Sequence, residues 1–187
     1  MKIRTEPMLG GAAFSFVILL IINIISVFVV MGSMQQMMES FMAAAFDPTA
    51  PPPSAFSSPL VSIIGCLSCL APLIAGIGAG VIYARQHAKI EPITGSLVSG
   101  GAASGALGFF LAGIVGGIIG GLMIIPIMNQ LSALDPSLAG SMGSVMGAGI
   151  IGSIFSGVCY GMFYAVIGAL LGMIGAAVGT PKSAKAA

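Results

Sequence analysis

The sequence predicts an all-α integral membrane protein that crosses the bilayer four times. Of its 187 residues, 57% are hydrophobic and 6% are charged, whereas soluble domains carry about 25% charged residues. Each of four apolar runs is at least as long as the roughly 20 residues that span a bilayer. An open chain in lipid satisfies its backbone polar groups only as a helix. We therefore expect one polytopic domain, 1–187, with spans at about 8–32, 60–84, 97–128 and 150–179.

The first span and the segment after it differ in pattern. The span has one strongly polar residue, Asn23, which we expect either to bond to a neighbouring span or to line a polar seam. Residues 33–46 alternate apolar and polar faces at helical spacing, which predicts a short amphipathic helix in the first outer loop. Methionine thioethers bind Cu(I), but no His or Cys lies in this segment, so we favour a purely apolar face. The methionines are Met34, Met37, Met38 and Met42.

The second span contains a proline and two cysteines. Pro72 lies inside the apolar run, where we expect it to kink the helix. Cys66 and Cys69 form a CxxC motif, which in other settings is redox-active or half of a metal site. The motif lies in apolar surroundings, and only Cys159 is available as a further thiol. We therefore expect buried structural thiols without a bound metal.

A short basic connection, residues 85–91, follows the second span. It contains His87, the only histidine of the chain, between Arg85 and Lys89. We expect His87 to be a solvated loop residue, with a contact to lipid headgroups as the alternative. Tyr83, just before the connection, is expected to anchor the span at the inner membrane interface.

The third span is dominated by small residues at helical spacing. Two ridges of residues four apart run along it, in the GxxxG pattern of a glycine zipper. The first ridge consists of Gly100, Ser104, Gly108, Ala112, Gly116 and Gly120. The second ridge, interrupted by Phe109, consists of Gly101, Gly105, Gly113, Gly117 and Gly121. Because small residues let neighbouring helices approach closely, we expect this span to be the packing axis of the bundle.

The fourth span repeats the small-residue pattern and adds two tyrosines. Gly157 and Gly161 lie four apart, and we expect them to pack against a neighbouring helix. Tyr160 and Tyr164 are also four apart and, with Ser156, form a candidate polar seam for the passage of a solute. The alternative is that their hydroxyls bond to the backbone of the next helix.

The two halves of the chain, about 1–88 and 89–187, resemble one another. The sequence GGAA occurs at 10–13 and again at 100–103, and Asp-Pro occurs at 47–48 and again at 135–136. The ordered matches predict two tandem helical hairpins. Since both hairpins start on the same side, they form parallel repeats related by an axis along the membrane normal.

The basic residues predict the orientation. All six lie in the N-terminal segment, the middle connection or the C-terminal tail, which four spans bring to one side of the membrane. Cytoplasmic loops are enriched in Lys and Arg. We therefore expect both termini in the cytoplasm, and the protein in the inner membrane of a prokaryote. The pattern of residues 72–76 (PLIAG), 83–85 (YAR) and the glycine-rich span resembles that of four-span prokaryotic membrane proteins, and no functional residue carries over from it.

The expected function follows from what the spans contain. They hold no Asp, Glu, Lys or Arg, the residues that pumps and proton-coupled transporters carry within the membrane. Catalytic and phosphate-binding motifs are also missing, so we expect no enzymatic activity, no cofactor and no metal. The favoured function is a helix-packing role as an accessory subunit of a larger membrane assembly. Its partners would be the lipid bilayer and other transmembrane helices, and not nucleic acid.

Two other functions stay open. One is a small transporter or channel for a neutral or apolar solute, acting as a homo-oligomer. It is supported by the repeat, by Pro72 and by the tyrosine pair. The other is a redox protein, which rests only on the CxxC motif and the methionines.

Overall fold

The computed structural model describes residues 5–46, 59–89, 94–134 and 139–180, which form four α-helices. They are α1 (Thr5–Phe46), α2 (Pro59–Ala88), α3 (Thr94–Leu134) and α4 (Ala139–Gly179). Each contains a stretch long and apolar enough to cross a membrane: Thr5–Met34, Ser62–Ala88, Ser96–Pro126 and Met146–Gly179. The described residues contain no strand. The predicted all-α class and four apolar helices of spanning length are confirmed.

The helix α1 continues beyond the first span without a break. It is 42 residues long, or about 60 Å at 1.5 Å per residue, roughly twice the thickness of the bilayer core. Residues 33–46 are therefore helical but extend α1 and do not form a separate helix. The predicted methionine face lies mostly outside the described side chains, which end at Gln36 apart from Ser40.

Each helix packs on at least two others. The order around the bundle is α1, α2, α4, α3, and α2 and α3 also touch across the diagonal. Neighbouring glycines show the directions: Gly10 lies next to Gln86 of the antiparallel α2, and Gly11 next to Ser104 of the parallel α3. The predicted packing axis, α3, contacts all three other helices, and so does α2.

The helices α3 and α4 pack backbone to backbone. The facing pairs are Gly101 with Gly172, Gly105 with Gly168, Gly113 with Gly161 and Gly117 with Gly157. A Cβ added at Gly117 would lie 2.6 Å from the Gly157 Cα and 2.8 Å from the Ser153 carbonyl oxygen, closer than real Cβ contacts. The second ridge of α3 therefore faces α4, at a separation that only glycine allows.

The bundle has a closed half and an open half. The closed half comprises residues 5–16, 75–89, 94–109 and 168–180, and the open half residues 17–34, 62–72, 110–126 and 146–165. The hydrophobic side chains without any exposed surface all lie in the closed half: Ala75, Ala79, Tyr83, Ala84, Leu97 and Ala176. In contrast, residues 65–70 of α2 are all exposed. Six residues cover more than one helical turn, so every face of α2 has exposed side chains there, although Ser68 still contacts Ser26 of α1.

The structure contradicts the predictions for His87 and Tyr83. The helix α2 extends to Ala88 and carries His87 beneath the start of α3, where it is fully buried. Its Nε2 lies 3.1 Å from the Ser96 Oγ, and its ring stacks on Tyr83 with 5.3 Å between the centroids. Tyr83 is also fully buried, against Gly100 of α3. His87 is thus part of the closed half and not a solvated loop residue, and Tyr83 is not an interface anchor.

The prediction of buried thiols is also wrong for this chain. Cys66, Cys69 and Cys159 are all free and exposed. They lie among exposed apolar side chains, including Leu67, Leu70 and Phe155. In a bilayer this surface contacts lipid or another transmembrane helix, because no charged residue breaks it.

The α3–α4 contact makes a testable prediction. Replacing Gly117 by Ala puts a methyl group against the Gly157 backbone, which has no side chain to move aside. We expect the free energy of unfolding to fall by about 1–3 kcal/mol, the usual cost of overpacking. The measurement is unfolding in mixed micelles with increasing SDS, followed by helical circular dichroism.

Gly65→Ala is the matched control. A Cβ added at Gly65 has no atom within 4 Å, and Ala is favoured over Gly in a helix by up to about 1 kcal/mol. This variant should be as stable as the wild type or more so. Equal stability of the Gly117 and Gly65 variants would contradict the packing that we describe.

Candidate functional site

A cavity of about 770 Å³ lies between the four helices in the open half. This volume is in the range of sites that bind small molecules, about 300–1,000 Å³. Much of its wall consists of residues with little or no side chain. On α3 these are Ala112, Gly113, Gly116, Gly117 and Gly120, and on α4 they are Gly149, Gly152 and Gly157.

Polar side chains from three helices reach this cavity. The predicted seam residues Asn23, Ser156, Tyr160 and Tyr164 all line it, although Asn23 is more than 130 positions from the others in the sequence. Ser26, Ser68 and Ser153 add three hydroxyls. The Ser26 and Ser68 Oγ atoms lie 3.5 Å apart and join α1 to α2 across the wall. None of the described lining residues is charged.

Pro72 adds a backbone acceptor to this set. A proline has no N–H, so the carbonyl four residues earlier loses its helical hydrogen-bond donor. That carbonyl belongs to Ser68, and both Ser68 and Pro72 line the cavity. A ligand hydroxyl or amide would supply the missing donor. The wall therefore offers amide and hydroxyl donors, and one of its residues has a backbone carbonyl that lacks its helical donor.

Phe109 forms the boundary between the cavity and the closed half. It lines the cavity, and its side chain is almost completely buried. A Cβ added at Gly168 would lie 2.7 Å from the Phe109 ring, so the ring fills the space left by that glycine. Phe109, the one bulky residue in the second ridge of α3, thus closes the end of the cavity that faces the closed half.

The first ridge of α3 has two parts: its N-terminal residues contact other helices, and its C-terminal residues line the cavity. Gly100 faces the Tyr83 ring, Ser104 faces Gly11, and a Cβ added at Gly108 would lie 2.7 Å from the Ala12 carbonyl oxygen. Further along, Ala112, Gly116 and Gly120 line the cavity. A Cβ at Gly116 would lie 3.5 Å from the Asn23 amide, and one at Gly120 meets no atom within 4 Å. Gly120 therefore contributes space within this chain and no contact between its helices.

The α4 residues predicted to pack face α3. A Cβ added at Gly157 would lie 2.6 Å from the Gly117 Cα, and one at Gly161 would lie 3.0 Å from the Phe110 carbonyl oxygen. Sequence reasoning did not identify Ser26, Ser68 or the Ser68 carbonyl as part of the same site. The sequence contained part of the signal, because Pro72 identifies the carbonyl that loses its helical donor. It does not show that Ser68 lines the same cavity as residues of α1 and α4.

The arrangement suits binding of a neutral molecule. Across the described residues, no group of three or more His, Cys, Asp or Glu side chains is placed to hold a metal ion. The described cavity wall offers hydroxyls and an amide but no imidazole or carboxylate to activate a nucleophile. Small residues shape the site, and its polar groups supply hydrogen bonds without net charge.

Comparison with known proteins finds no match among family models, curated proteins or solved structures.

The cavity predicts opposite effects for one substitution at two positions of α3. At Gly120 a leucine side chain has room in the cavity, so we expect Gly120→Leu to change the free energy of unfolding by less than about 0.5 kcal/mol or to raise it. At Gly113 an added Cβ would lie 2.8 Å from the Gly161 backbone nitrogen. Gly113→Leu should cost about 3 kcal/mol or more. Unfolding in SDS-containing micelles measures both, and a similar loss for the two variants would show that no cavity exists at Gly120.

Proposed function

We propose that this protein binds a neutral, largely apolar solute between its four helices and acts as a small membrane carrier or channel. The observation that carries the proposal is the cavity, where polar side chains from α1, α2 and α4 meet within the stretches long and apolar enough to cross a membrane. A polar group in a membrane span is costly unless it has a partner or a use. Several such groups around one space of ligand size support a binding role more strongly than a packing role.

The chemistry of the wall supports a neutral solute. An ionised ligand would lose its hydration without gaining a counter-charge, because the polar side chains of the described cavity wall are hydroxyls and one amide. The exposed apolar surface of the four helices is available to lipid and, in the homo-oligomer that we propose, to a second copy of the chain.

We further propose the inner membrane of a prokaryote as the location, with the closed half toward the cytoplasm. Arg85 and Lys89 lie at that end of the bundle, and Lys and Arg are enriched on the cytoplasmic side. The other four basic residues lie in 1–4 and 181–187, outside the described residues, and in the sequence they precede α1 and follow α4. In this orientation the extension of α1 over residues 33–46 lies on the outer side of the membrane.

The tandem repeat remains part of the proposal. Where α1 and α3 touch, the facing residues are 93 positions apart: Gly11 with Ser104, Ser15 with Gly108, and Asn23 with Gly116. Equivalent residues of two parallel repeats meet in this way along an axis normal to the membrane. The GGAA segments are 90 positions apart, about one helical turn less. Because the packing offset lies within one helical turn of the repeat offset, it supports duplicated hairpins with a small shift between them.

The experiment is native mass spectrometry of the protein extracted in a mild detergent. We expect the wild type and the control Gly65→Leu to retain a neutral molecule, and Gly120→Leu to lose it because the leucine occupies the cavity. Gly65 has open space around it and does not line the cavity. If all three proteins retain the same molecules, the bound species does not lie in the cavity and the proposed function is wrong.

A second function, an accessory subunit of a larger assembly, is supported by the surface of α1. Only 6% of its spanning window is buried inside the chain, compared with 28% for α2 and for α4. Because α1 is so exposed, one whole face of it is available to a partner helix. Co-purification with a larger complex in fixed stoichiometry from native membranes would favour this function. A homo-oligomer with bound solute would favour the carrier or channel.

A further inference from the structure

We propose that the cavity is loaded from within the bilayer, through a lateral opening between α2 and α4, and that its ligand is a neutral acyl-chain amphiphile with a hydroxyl headgroup. This inference rests on the proposed function, since it names the route and the chemical class for the same site. It follows from where the helices touch, from the exposure of two cavity residues, and from the hydrogen-bonding groups of the wall.

The glycine contacts between α2 and α4 lie in the closed half. A Cβ added at Gly80 would lie 2.6 Å from the Ala176 nitrogen, and one at Gly179 would lie 2.9 Å from the Val81 Cα. Nearer the cavity, Gly76 still lies against Leu171. Beyond it, residues 65–70 of α2 are all exposed, and a Cβ added at Gly65 meets no atom within 4 Å. The contact between α2 and α4 therefore ends just beyond Gly76 on the side of the open half, at the level of Pro72.

Two residues of the cavity wall lie at the gap between α2 and α4. Tyr160 and Tyr164 of α4 line the cavity, yet they are 62% and 42% exposed. A side chain with both properties borders an opening. Their neighbour Phe163 is exposed on the outer surface, and this level lies well inside the spanning window Met146–Gly179. The opening therefore leads to the hydrocarbon interior and not to the aqueous phase.

The other three sides of the cavity carry contacts at the same level. Glycine backbones close the side between α3 and α4, including Gly113 with Gly161. The hydroxyls of Ser26 and Ser68 link α1 to α2. Between α1 and α3, a Cβ added at Gly116 would be in van der Waals contact with Asn23. The gap between α2 and α4 is the remaining lateral route.

The wall chemistry selects the ligand class. The Asn23 amide both donates and accepts hydrogen bonds, the Ser68 carbonyl has no helical donor, and Tyr160 and Tyr164 border the opening. A hydroxyl headgroup can donate to the carbonyl and accept from the amide at the same time. A carboxylate or phosphate in this uncharged site would be desolvated without compensation. An acyl chain fits the glycine- and alanine-lined space and reaches it directly from the membrane.

The absence of tryptophan allows a direct test of the route. Gly120→Trp introduces a single indole where open space surrounds the backbone. Phe155→Trp puts the same probe on the exposed outer surface of α4, as a control. Both variants are reconstituted in vesicles of phosphatidylcholine brominated in mid-chain, and helical circular dichroism establishes that both are folded. Tyr160→Trp, a conservative change at the opening, serves if Gly120→Trp does not fold.

We expect bromine quenching of the cavity indole comparable to that of the control, because lipid chains reach it through the opening. Quenching by acrylamide but not by brominated lipid would mean that the cavity opens to water. That result overturns lateral loading and leaves the proposed function intact. Quenching by neither agent would mean a sealed cavity and would count against both.

The ligand class is tested in unbrominated vesicles at a low content of brominated amphiphile. The probes are 1-(9,10-dibromostearoyl)glycerol and, as its charged counterpart, dibromostearate. The cavity probe in this test is Tyr160→Trp, because a bulky side chain at Gly120 would occupy the space of the ligand. We expect the glycerol ester to quench the Tyr160→Trp variant several-fold more than it quenches the Phe155→Trp variant, with saturation. The anion should show no such preference. Equal ratios for the two probes would overturn the assignment of a neutral hydroxyl ligand while leaving the lateral route in place.

Discussion

The backbone contact between α3 and α4 is the interaction on which the rest of the structure depends. In lipid there is no hydrophobic force that drives one apolar helix against another, so van der Waals contact must hold the bundle together. Gly101, Gly105, Gly113 and Gly117 bring the α3 backbone against glycines of α4 over most of the span. A pair held this closely forms a rigid wall. The helices α1 and α2 pack less extensively on that pair, and the cavity lies between them and that pair in the open half.

Glycine serves two opposite purposes in α3, depending on the ridge. On the second ridge, the missing side chain allows contact with α4. On the first ridge, it allows contact near the closed half, where Gly108 meets Ala12, and leaves space further along, at Gly120. The change follows from the geometry of the neighbours. In the closed half α1 and α2 lie against α3, and in the open half α2 is uncovered over residues 65–70. One sequence pattern therefore produces both a packed interface and a cavity.

The sequence predicted the features that repeat along a helix and missed those that depend on the neighbouring helices. Length and hydropathy were enough to identify four apolar helices. The depth of His87 was not predictable, because it depends on α2 continuing to Ala88 and on Gly100 accommodating the Tyr83 ring. The exposure of Cys66 and Cys69 likewise depends on which faces of α2 the other helices cover. The cavity is space between helices, and only its polar residues, such as Asn23 and Tyr160, had a signal in the sequence.

The polar groups of the cavity are compatible with a loosely packed half because none of them is charged. A buried ion would require a partner of opposite charge fixed at short range, and none of the described residues of the cavity wall is charged. Hydroxyls, an amide and the carbonyl freed by Pro72 tolerate lipid or ligand as alternating partners. Pro72 lies where α2 leaves the closed half, so the residue that frees the acceptor also stands at the start of the opening. The looser packing of α1 and α2 in the open half is thus compatible with the cavity because the polar groups of its wall are uncharged.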